Sequence, residues 1–345
     1  MVERPSNNSG LWIELSAENA AAYLQRRPEF GSRGWQVTPL GGGVSNTVLL
    51  VESEDVRIVL KQSLPKLRVR EDWFADRSRI RHECEAMRAL APHLPDGAVP
   101  RILFEDVENY LFAMEAAPPA ARTWKSLLLE GHADEAIPEK VAAALAAMFR
   151  VTWRSPEWES KFSDQGVFDQ LRLDPYYRFT ATKFPDLAEH FSARVHDAQT
   201  RRCSLVHGDW SPKNFLVGGD LAGKKPVMAI DFEVVHYGDP AFDSAFLLNH
   251  LLLKCFHRPH WADRYRRLAA RFSEVLMEGL PDDAGWFEPA TCRHLGCLLL
   301  ARIDGKSPAE YITDDRVKQK VREYASRVIA EPPDSIKVIF EDAPL

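Results

Sequence analysis

The sequence predicts an α+β protein with a strand-rich first part and a larger, mostly helical second part. Up to about residue 116, short apolar segments alternate with turn-forming residues, which is typical of strands joined by hairpins. Pro118 and Pro119 then interrupt the pattern, because proline fixes its own φ angle and donates no backbone hydrogen bond. Beyond them, apolar residues recur every three or four positions, which is the period of a packed helix. We therefore expect two domains, 1–116 and 117–345.

Composition and charge limit the classes of function. The chain has 345 residues, of which 45% are hydrophobic, so it can bury a core large enough for two units. A net charge of −6 argues against a nucleic-acid partner, since binding a polyanion needs a concentrated basic surface. The longest leucine-rich segment, 246–256, is too short and too polar to span a membrane. Five scattered cysteines predict reduced thiols and a cytoplasmic location.

The first part is predicted to form a five-stranded antiparallel sheet with accompanying helices. The expected strands begin at Trp35 and continue at 46–52, 56–62, 100–105 and 110–115. Between the first two strands, the chain reads Leu40-Gly41-Gly42-Gly43-Val44-Ser45-Asn46-Thr47. Glycines let backbone N–H groups approach phosphate oxygens, and hydroxyl and amide side chains add donors. Gly42, Gly43, Ser45 and Asn46 are therefore candidate phosphate-binding residues, although a plain hairpin turn would use the same glycines.

A lysine and a glutamate are expected to form a phosphate-positioning pair. The second strand of the hairpin carries Ile58-Val59-Leu60-Lys61, which matches the strand pattern V-A-I-K whose lysine pairs with the α- and β-phosphates. On the predicted helix 76–94, the apolar residues lie on one face, and Glu83 lies on that face while Glu85 points away. A carboxylate on a buried face needs a partner, so we expect Glu83 to pair with Lys61.

The second part carries two acidic motifs in the order that phosphoryl transfer requires. His207-Gly208-Asp209 is followed by Asn214 at the spacing of the H-R-D-x-x-x-x-N loop, and Ile230-Asp231-Phe232-Glu233 follows in the place of D-F-G. Two short apolar strands between the motifs predict a hairpin that returns Asp231 beside Asn214. Elsewhere in the second part the apolar spacing is mostly helical, so we expect strands there only around this hairpin. The pattern predicts that Asp209 faces the acceptor hydroxyl. It also predicts that Asn214 and Asp231 bind magnesium, and that Glu233 is available for a second ion.

These motifs, together with Gly238-Asp239-Pro240-Ala241-Phe242-Asp243, resemble the aminoglycoside phosphotransferase and choline kinase group of small-molecule kinases. The resemblance implies a bilobal protein kinase-like fold, with ATP and Mg²⁺ as cofactors and a small hydroxylated molecule as the substrate. It further implies that Asp243 braces the catalytic loop. Backbone groups near Glu115 and Ala117, at the linker between the lobes, would contact adenine.

The predicted function is ATP-dependent transfer of the γ-phosphoryl group to a hydroxyl of a small metabolite or an aminoglycoside-like acceptor. The alternative is a catalytically silent nucleotide-binding module of the same fold, although every polar catalytic position is occupied. A protein kinase is disfavoured because Gly208 replaces the loop arginine and Glu233 replaces the glycine of D-F-G. The sequence leaves open the acceptor, the preference for ATP or GTP, and the oligomeric state. Candidate acceptor-pocket residues are His236, Tyr237, Trp124, Arg302 and Asp304.

Overall fold

The computed structural model describes residues 12–31, 33–41, 46–65, 76–218 and 226–345. The chain divides into two compact units. The first takes in the chain up to Cys84 together with Arg101–Ala116, and the second consists of Glu85–Pro100 and Ala117–Leu345. The predicted boundary at residue 116 coincides with one edge of this division, whereas residues 85–100 belong to the second unit.

The first unit contains the five-stranded antiparallel sheet that the sequence predicts. Its strands are β1 Gln36–Pro39, β2 Asn46–Glu52, β3 Arg57–Ser63, β4 Ile102–Asp106 and β5 Leu111–Glu115. They lie in the order β1-β2-β3-β5-β4 with antiparallel neighbours, so β3 is central. Helix α1, Ala20–Gln25, contributes Leu24 to the buried cluster that holds one face of the sheet. The predicted phosphate-turn residues Gly42, Gly43 and Ser45 lie outside the described residues.

Helix α2, Arg79–Leu90, has the orientation that its apolar period predicts. Cys84 and Met87 are buried with Glu83, which is 1% exposed, whereas Glu85 is exposed. The helix therefore turns one carboxylate inward and the neighbouring one outward.

The second unit is mainly helical. Its helices are α3 Trp124–Leu129, α4 Ala136–Thr152, α5 Pro156–Lys161, α6 Gly166–Phe168, α7 Phe179–Lys183, α8 Ala188–Thr200, α9 Ala241–His257, α10 Ala262–Glu278, α11 Phe287–Asp304, α12 Asp315–Ala330 and α13 Ile336–Glu341. Helix α9 packs against α10 and α11 and is buried on every side from Ala241 to Phe256, so it forms the centre of this core. Among the described residues, no helix combines the length and the apolar character needed to cross a bilayer.

Short strands position the acidic motifs. The predicted hairpin is present as β8, Phe215–Val217, and β9, Val227–Ala229, with the two-residue β6, Arg122–Thr123, at its edge. We expected strands in this part only around that hairpin. That expectation was wrong, because β7, Ser204–Val206, also pairs with β10, His236–Gly238. Three-residue strands carry too little periodicity to be separated from loop residues.

Candidate active site

The catalytic loop begins directly after β7, and its glycine is required by space and by backbone geometry. Gly208 has a φ of +76°, which side chains other than glycine rarely adopt. A Cβ atom at this position would lie 2.8 Å from Val234 Cγ1 and 3.0 Å from the Val234 carbonyl oxygen. A residue with a side chain is therefore excluded where protein kinases have an arginine.

Asp243, in the first turn of α9, braces this loop as the resemblance implies. Its carboxylate accepts the backbone N–H of His207 at 2.7 Å and that of Gly208 at 2.9 Å. Burial raises the pKa of Asp243 to about 7, against the opposing effect of those two hydrogen bonds. The loop is thus fixed from the core of the helical unit.

His207 joins the loop to the end of the hairpin. Its Nδ1 accepts the Asp209 N–H at 3.1 Å, so the proton lies on Nε2, which is 3.2 Å from the Ile230 carbonyl oxygen. Burial lowers the pKa of His207 to about 4, which keeps the ring neutral. The Ile230 N–H in turn donates to the Asn214 carbonyl at 3.0 Å. The hairpin therefore returns the second acidic motif beside the first, as the sequence predicts.

Asp209 is a buried carboxylate held by two cations. Its Oδ2 lies 2.8 Å from an Arg172 guanidinium nitrogen and 2.8 Å from Lys213 Nζ, and Ser211 Oγ donates to Oδ1 at 3.1 Å. Burial alone would raise the pKa of Asp209, but the charges of Lys213 and Arg172 outweigh it and lower the pKa below its usual value. Asp209 is therefore ionised at neutral pH.

Sequence reasoning missed both of these cations. Arg172 lies in a π-helical segment, Asp169–Arg178, and its Nε donates to the Gly208 carbonyl at 2.6 Å. Burial alone would lower the pKa of Arg172, but the nearby charges, led by Asp209 and including Glu233 and Asp231, raise it. Arg172 therefore contacts Asp209 directly, and its pKa also responds to the charges of the second motif. Lys213 lies within the first motif, and its place four residues after Asp209 could have identified it.

The predicted metal ligands offer oxygen atoms. Asn214 Nδ2 donates to the Asp209 carbonyl at 3.0 Å, so the amide oxygen is the end left for a cation. Asp231 has a φ of +71°, a strained conformation for a residue other than glycine and one that concentrates at functional sites. Glu233 is partly exposed two residues later. In the described ranges, no three or more His, Cys, Asp or Glu side chains form a metal-binding cluster.

Lys61 and Glu83 form the ion pair that the helical period predicts. Lys61 Nζ lies 2.7 Å from Glu83 Oε1, and the two side chains are 5% and 1% exposed. At the end of β5, the Glu115 N–H donates to the Arg101 carbonyl at 2.9 Å. Adenine contacts by backbone groups near Glu115 and Ala117 stay a prediction.

The Glu83→Ala variant is expected to weaken ATP use at least about tenfold, and Lys61→Ala should resemble it. Removing Glu83 takes away the buried carboxylate 2.7 Å from the Lys61 ammonium, so the lysine is positioned less firmly for the phosphates. Glu85→Ala is the matched control, because it removes the same group from the exposed face of the same helix. Steady-state kinetics with ATP as the varied substrate measure the effect. A larger loss in Glu85→Ala than in Glu83→Ala would contradict the assignment.

A cavity of about 200 Å³ lies beside Asp209 within the second unit. Among the residues that line it are Asp209, Lys213, Tyr176, His250, Arg302 and Glu310. Arg302 is the one candidate acceptor-pocket residue among the residues that line this cavity.

The other four candidates are engaged elsewhere in the second unit. Trp124 packs edge-on against an aromatic ring of β8, and His236 stacks on the ring that ends α6. The Tyr237 hydroxyl lies 3.1 Å from each of two backbone carbonyl oxygens, and Asp304 forms an ion pair with an arginine of α12. These four side chains have structural contacts and do not line the cavity beside Asp209.

Comparisons with known proteins identify the family of the chain. A family model described as the phosphotransferase enzyme family, APH, matches residues 36–290. Methylthioribose kinase of Escherichia coli O45:K1 is 28% identical over 299 residues, which cover 76% of this chain and 70% of that protein. Methylthioribose kinase 2 of Oryza sativa subsp. japonica is 24% identical over 310 residues, which cover 79% of this chain and 70% of that protein.

Solved structures share the fold at low sequence identity. Amicoumacin kinase hAmiN, in complex with AMP-PNP, Ca²⁺ and Ami, has a TM-score of 0.58 at 15% identity, covering 91% of this chain and 92% of that one. The GDP complex of aminoglycoside 2′-phosphotransferase-IIIa has a TM-score of 0.51 at 12% identity, covering 92% and 99%. These similarities identify a protein kinase-like fold. Since the family model matches more than half of the chain, the chain belongs to the phosphotransferase enzyme family and is a small-molecule kinase.

Proposed function

We propose that the protein transfers the γ-phosphoryl group of Mg·ATP to a hydroxyl of a small molecule, with Asp209 as the group that contacts this hydroxyl. The observation that carries the proposal is the position of Asp209, a buried and ionised carboxylate at the wall of a small cavity. An ionised carboxylate accepts a hydrogen bond from the acceptor hydroxyl. This hydrogen bond orients the hydroxyl oxygen toward the γ-phosphorus atom of ATP.

The lowered pKa of Asp209 indicates how it acts. A carboxylate stabilised by Arg172 and Lys213 is a weak base, so it would orient the hydroxyl first and take its proton late. This order suits phosphoryl transfer, in which the transition state is loose and the acceptor is little activated. Lys213, held 2.8 Å from Asp209, would also offer a positive charge to the negative charge that develops on the transferred group.

The residues that would hold Mg²⁺ are Asn214 and Asp231, with Glu233 available for a second ion. Mg²⁺ prefers oxygen ligands and is usually bound by one or two carboxylates together with phosphate oxygens and water. An amide oxygen, a carboxylate and the phosphates of ATP therefore suffice without a cluster of protein ligands. The ion supplies charge neutralisation to the phosphates.

The remaining nucleotide contacts are proposed from the sequence and the first unit. The Lys61–Glu83 pair presents a fixed ammonium group for the α- and β-phosphates. The backbone of Gly42 and Gly43, with Ser45 and Asn46, would contact phosphate oxygens, and the backbone near Glu115 and Ala117 would contact adenine. The placement of Asn46 at the start of β2 and of Glu115 at the end of β5 supports these assignments.

The acceptor is proposed to be a small hydroxylated metabolite. The curated relatives are named as methylthioribose kinases, and a structural neighbour is named as an aminoglycoside phosphotransferase. The cavity beside Asp209, at about 200 Å³, is smaller than the roughly 300 to 1,000 Å³ usual for drug-sized ligands. The part of the acceptor that enters this cavity is therefore expected to be compact.

A panel of hydroxylated compounds tests the function. Sugars, methylthioribose, hydroxy acids, amino alcohols and aminoglycosides are each incubated with Mg·ATP, and ADP formation and the mass of the product are measured. We expect at least one compound to gain a phosphoryl group. Binding of ATP without transfer to any member of the panel would favour the silent nucleotide-binding module instead.

A further inference from the structure

The cavity beside Asp209 has an excess of positive charge. Its cations are Lys125, Lys213 and Arg302, and its carboxylates are Asp209 and Glu310. Lys213 pairs with Asp209, which already carries a second cation from the π-helical segment, and Lys125 pairs with Glu310. Both carboxylates of the cavity thus already form ion pairs with other cations, and neither forms an ion pair with Arg302.

Arg302, on α11, is a buried guanidinium whose contacts are with neutral groups. The side chain is 7% exposed and donates to the Ser307 carbonyl, to Ser307 Oγ at 2.9 Å and to Tyr176 Oη at 3.5 Å. Its Nε makes no hydrogen bond, and within the described part of the chain no carboxylate is close enough to form an ion pair with it, although its charge acts on Glu310 through space. A buried cation without a counter-charge destabilises the fold unless something else compensates it.

A second buried basic side chain, Lys254, contacts the backbone of His250, which lines the cavity. Lys254 is 1% exposed, its Nζ donates to the His250 carbonyl at 3.2 Å, and the ring of Tyr311 lies 5.1 Å away. Lys254, too, forms no ion pair within the residues that the structure describes. Burial, together with the charges of Lys125 and Arg302, lowers the pKa of Lys254 to about 7.

The pKa values of two neutral side chains that line the cavity are also lowered by nearby positive charge. His250 has a pKa well below its usual value because of burial and then the charges of Arg302, Lys254, Lys213 and Lys125. Burial alone would raise the pKa of Tyr176, yet the neighbouring charges of Arg302 and an arginine on its own segment lower it. A buried tyrosine with a lowered pKa indicates strong local stabilisation of negative charge.

We propose that the acceptor carries an anionic group, a carboxylate or a phosphate, which binds at the Arg302 end of the cavity while the acceptor hydroxyl faces Asp209. This inference rests on the proposed phosphotransferase function and assigns its substrate class. An anion bound there supplies the ion-pair partner that Arg302 lacks among the described residues and favours the charged form of Lys254, and guanidinium groups bind both kinds of oxyanion strongly. A neutral acceptor leaves these charges unbalanced, and a polycationic acceptor adds to the repulsion.

Matched six-carbon compounds test the assignment by calorimetry on the full chain without nucleotide. Gluconate provides the carboxylate, glucose 6-phosphate the phosphate, glucose the neutral molecule and glucosamine the cation. We expect at least one anionic compound to bind at least about tenfold more tightly than glucose and glucosamine, with the difference falling as NaCl is added. The carboxylate and phosphate compounds show which oxyanion the site prefers.

Two variants test whether Arg302 and Lys254 cause the preference for an anionic compound. Arg302→Gln and Lys254→Met are each expected to reduce the preference for the anion at least about fivefold. Both variants are needed because Arg302 also donates a hydrogen bond to the Ser307 carbonyl, so its replacement could destabilise the fold. Thermal melting shows which variant remains folded. Lys318→Gln is the control, since it removes a lysine whose ion pair with Asp315 lies on the exposed surface of α12.

The inference is wrong if no anionic compound binds more tightly than its neutral counterpart. It is also wrong if the preference survives in folded Arg302→Gln and Lys254→Met protein. Asp209-dependent transfer to a neutral or cationic acceptor, with no gain from an anionic group, would refute the anionic acceptor and leave the phosphotransferase intact. Failure of Mg·ATP to bind would instead refute the proposed function.

Discussion

The Asp209→Asn variant is expected to lose at least about 100-fold in the rate of phosphoryl transfer while its affinity for Mg·ATP stays nearly unchanged. Asparagine keeps the shape of the side chain but can neither take a proton nor carry the charge that orders Arg172 and Lys213. The nucleotide contacts are assigned to other residues, so binding of Mg·ATP should not depend on Asp209. Calorimetry with Mg·ATP and turnover with an acceptor from the panel measure the two effects separately.

Stability must be measured in the same variant. Asp209 is the carboxylate paired with the buried Arg172, and removal of one member of a buried pair costs about 3–5 kcal/mol. A lower melting temperature is therefore expected, and the kinetics should be recorded well below it. Asp186→Asn, at an exposed position, is the matched control and should have wild-type activity and stability. Wild-type turnover in folded Asp209→Asn protein would remove Asp209 from the mechanism.

The Asp231→Asn variant is expected to weaken binding of Mg·ATP itself at least about tenfold, because it removes a negative charge from the proposed cation site. The backbone of Asp231 has a positive φ, and asparagine tolerates that conformation, so the substitution changes the charge with little backbone strain. The weaker binding should be partly recovered at higher Mg²⁺ concentration. Calorimetric titration of ATP at several Mg²⁺ concentrations measures this dependence.

Asp231 and Asp209 thus have different expected signatures. If both variants lose the same affinity for Mg·ATP, the division between a metal ligand and an acceptor-facing carboxylate is wrong. If Asp231→Asn binds Mg·ATP as the wild type does at every Mg²⁺ concentration, Asp231 is not a metal ligand.

Local patterns in the sequence predicted the sheet, the inward face of α2 and the return of the hairpin. Each of these features depends on the apolar periodicity within one or two elements. Burial of the apolar side chains therefore determines which way the polar side chains of the same element point. Glu83 was found in this way, because its place among buried residues of α2 requires a partner. The contact of Ile230 with Asn214 followed from two short strands and their spacing.

Contacts between distant segments were not predictable in this way. Arg172 lies 36 residues before the glycine whose carbonyl it contacts, and it comes from a π-helical segment that contains Pro175, for which the apolar spacing gives no signal. The cavity combines α9, α11 and the catalytic loop, so its charge appears only when these elements pack. For the same reason Arg302 was one of five equal candidates in the sequence and stands apart only in the structure.

Asp209 is proposed to serve transfer of the γ-phosphoryl group from ATP to a hydroxyl of a small molecule. The most direct measurement is transfer of labelled γ-phosphate to the acceptor found in the panel, in single turnovers with enzyme in excess and saturating Mg·ATP. We expect labelled product with wild type and with Asp186→Asn, and at least about a 100-fold slower appearance with Asp209→Asn at equal nucleotide occupancy. Label appearing in the acceptor at the same rate in all three proteins would show that Asp209 has no role in the transfer.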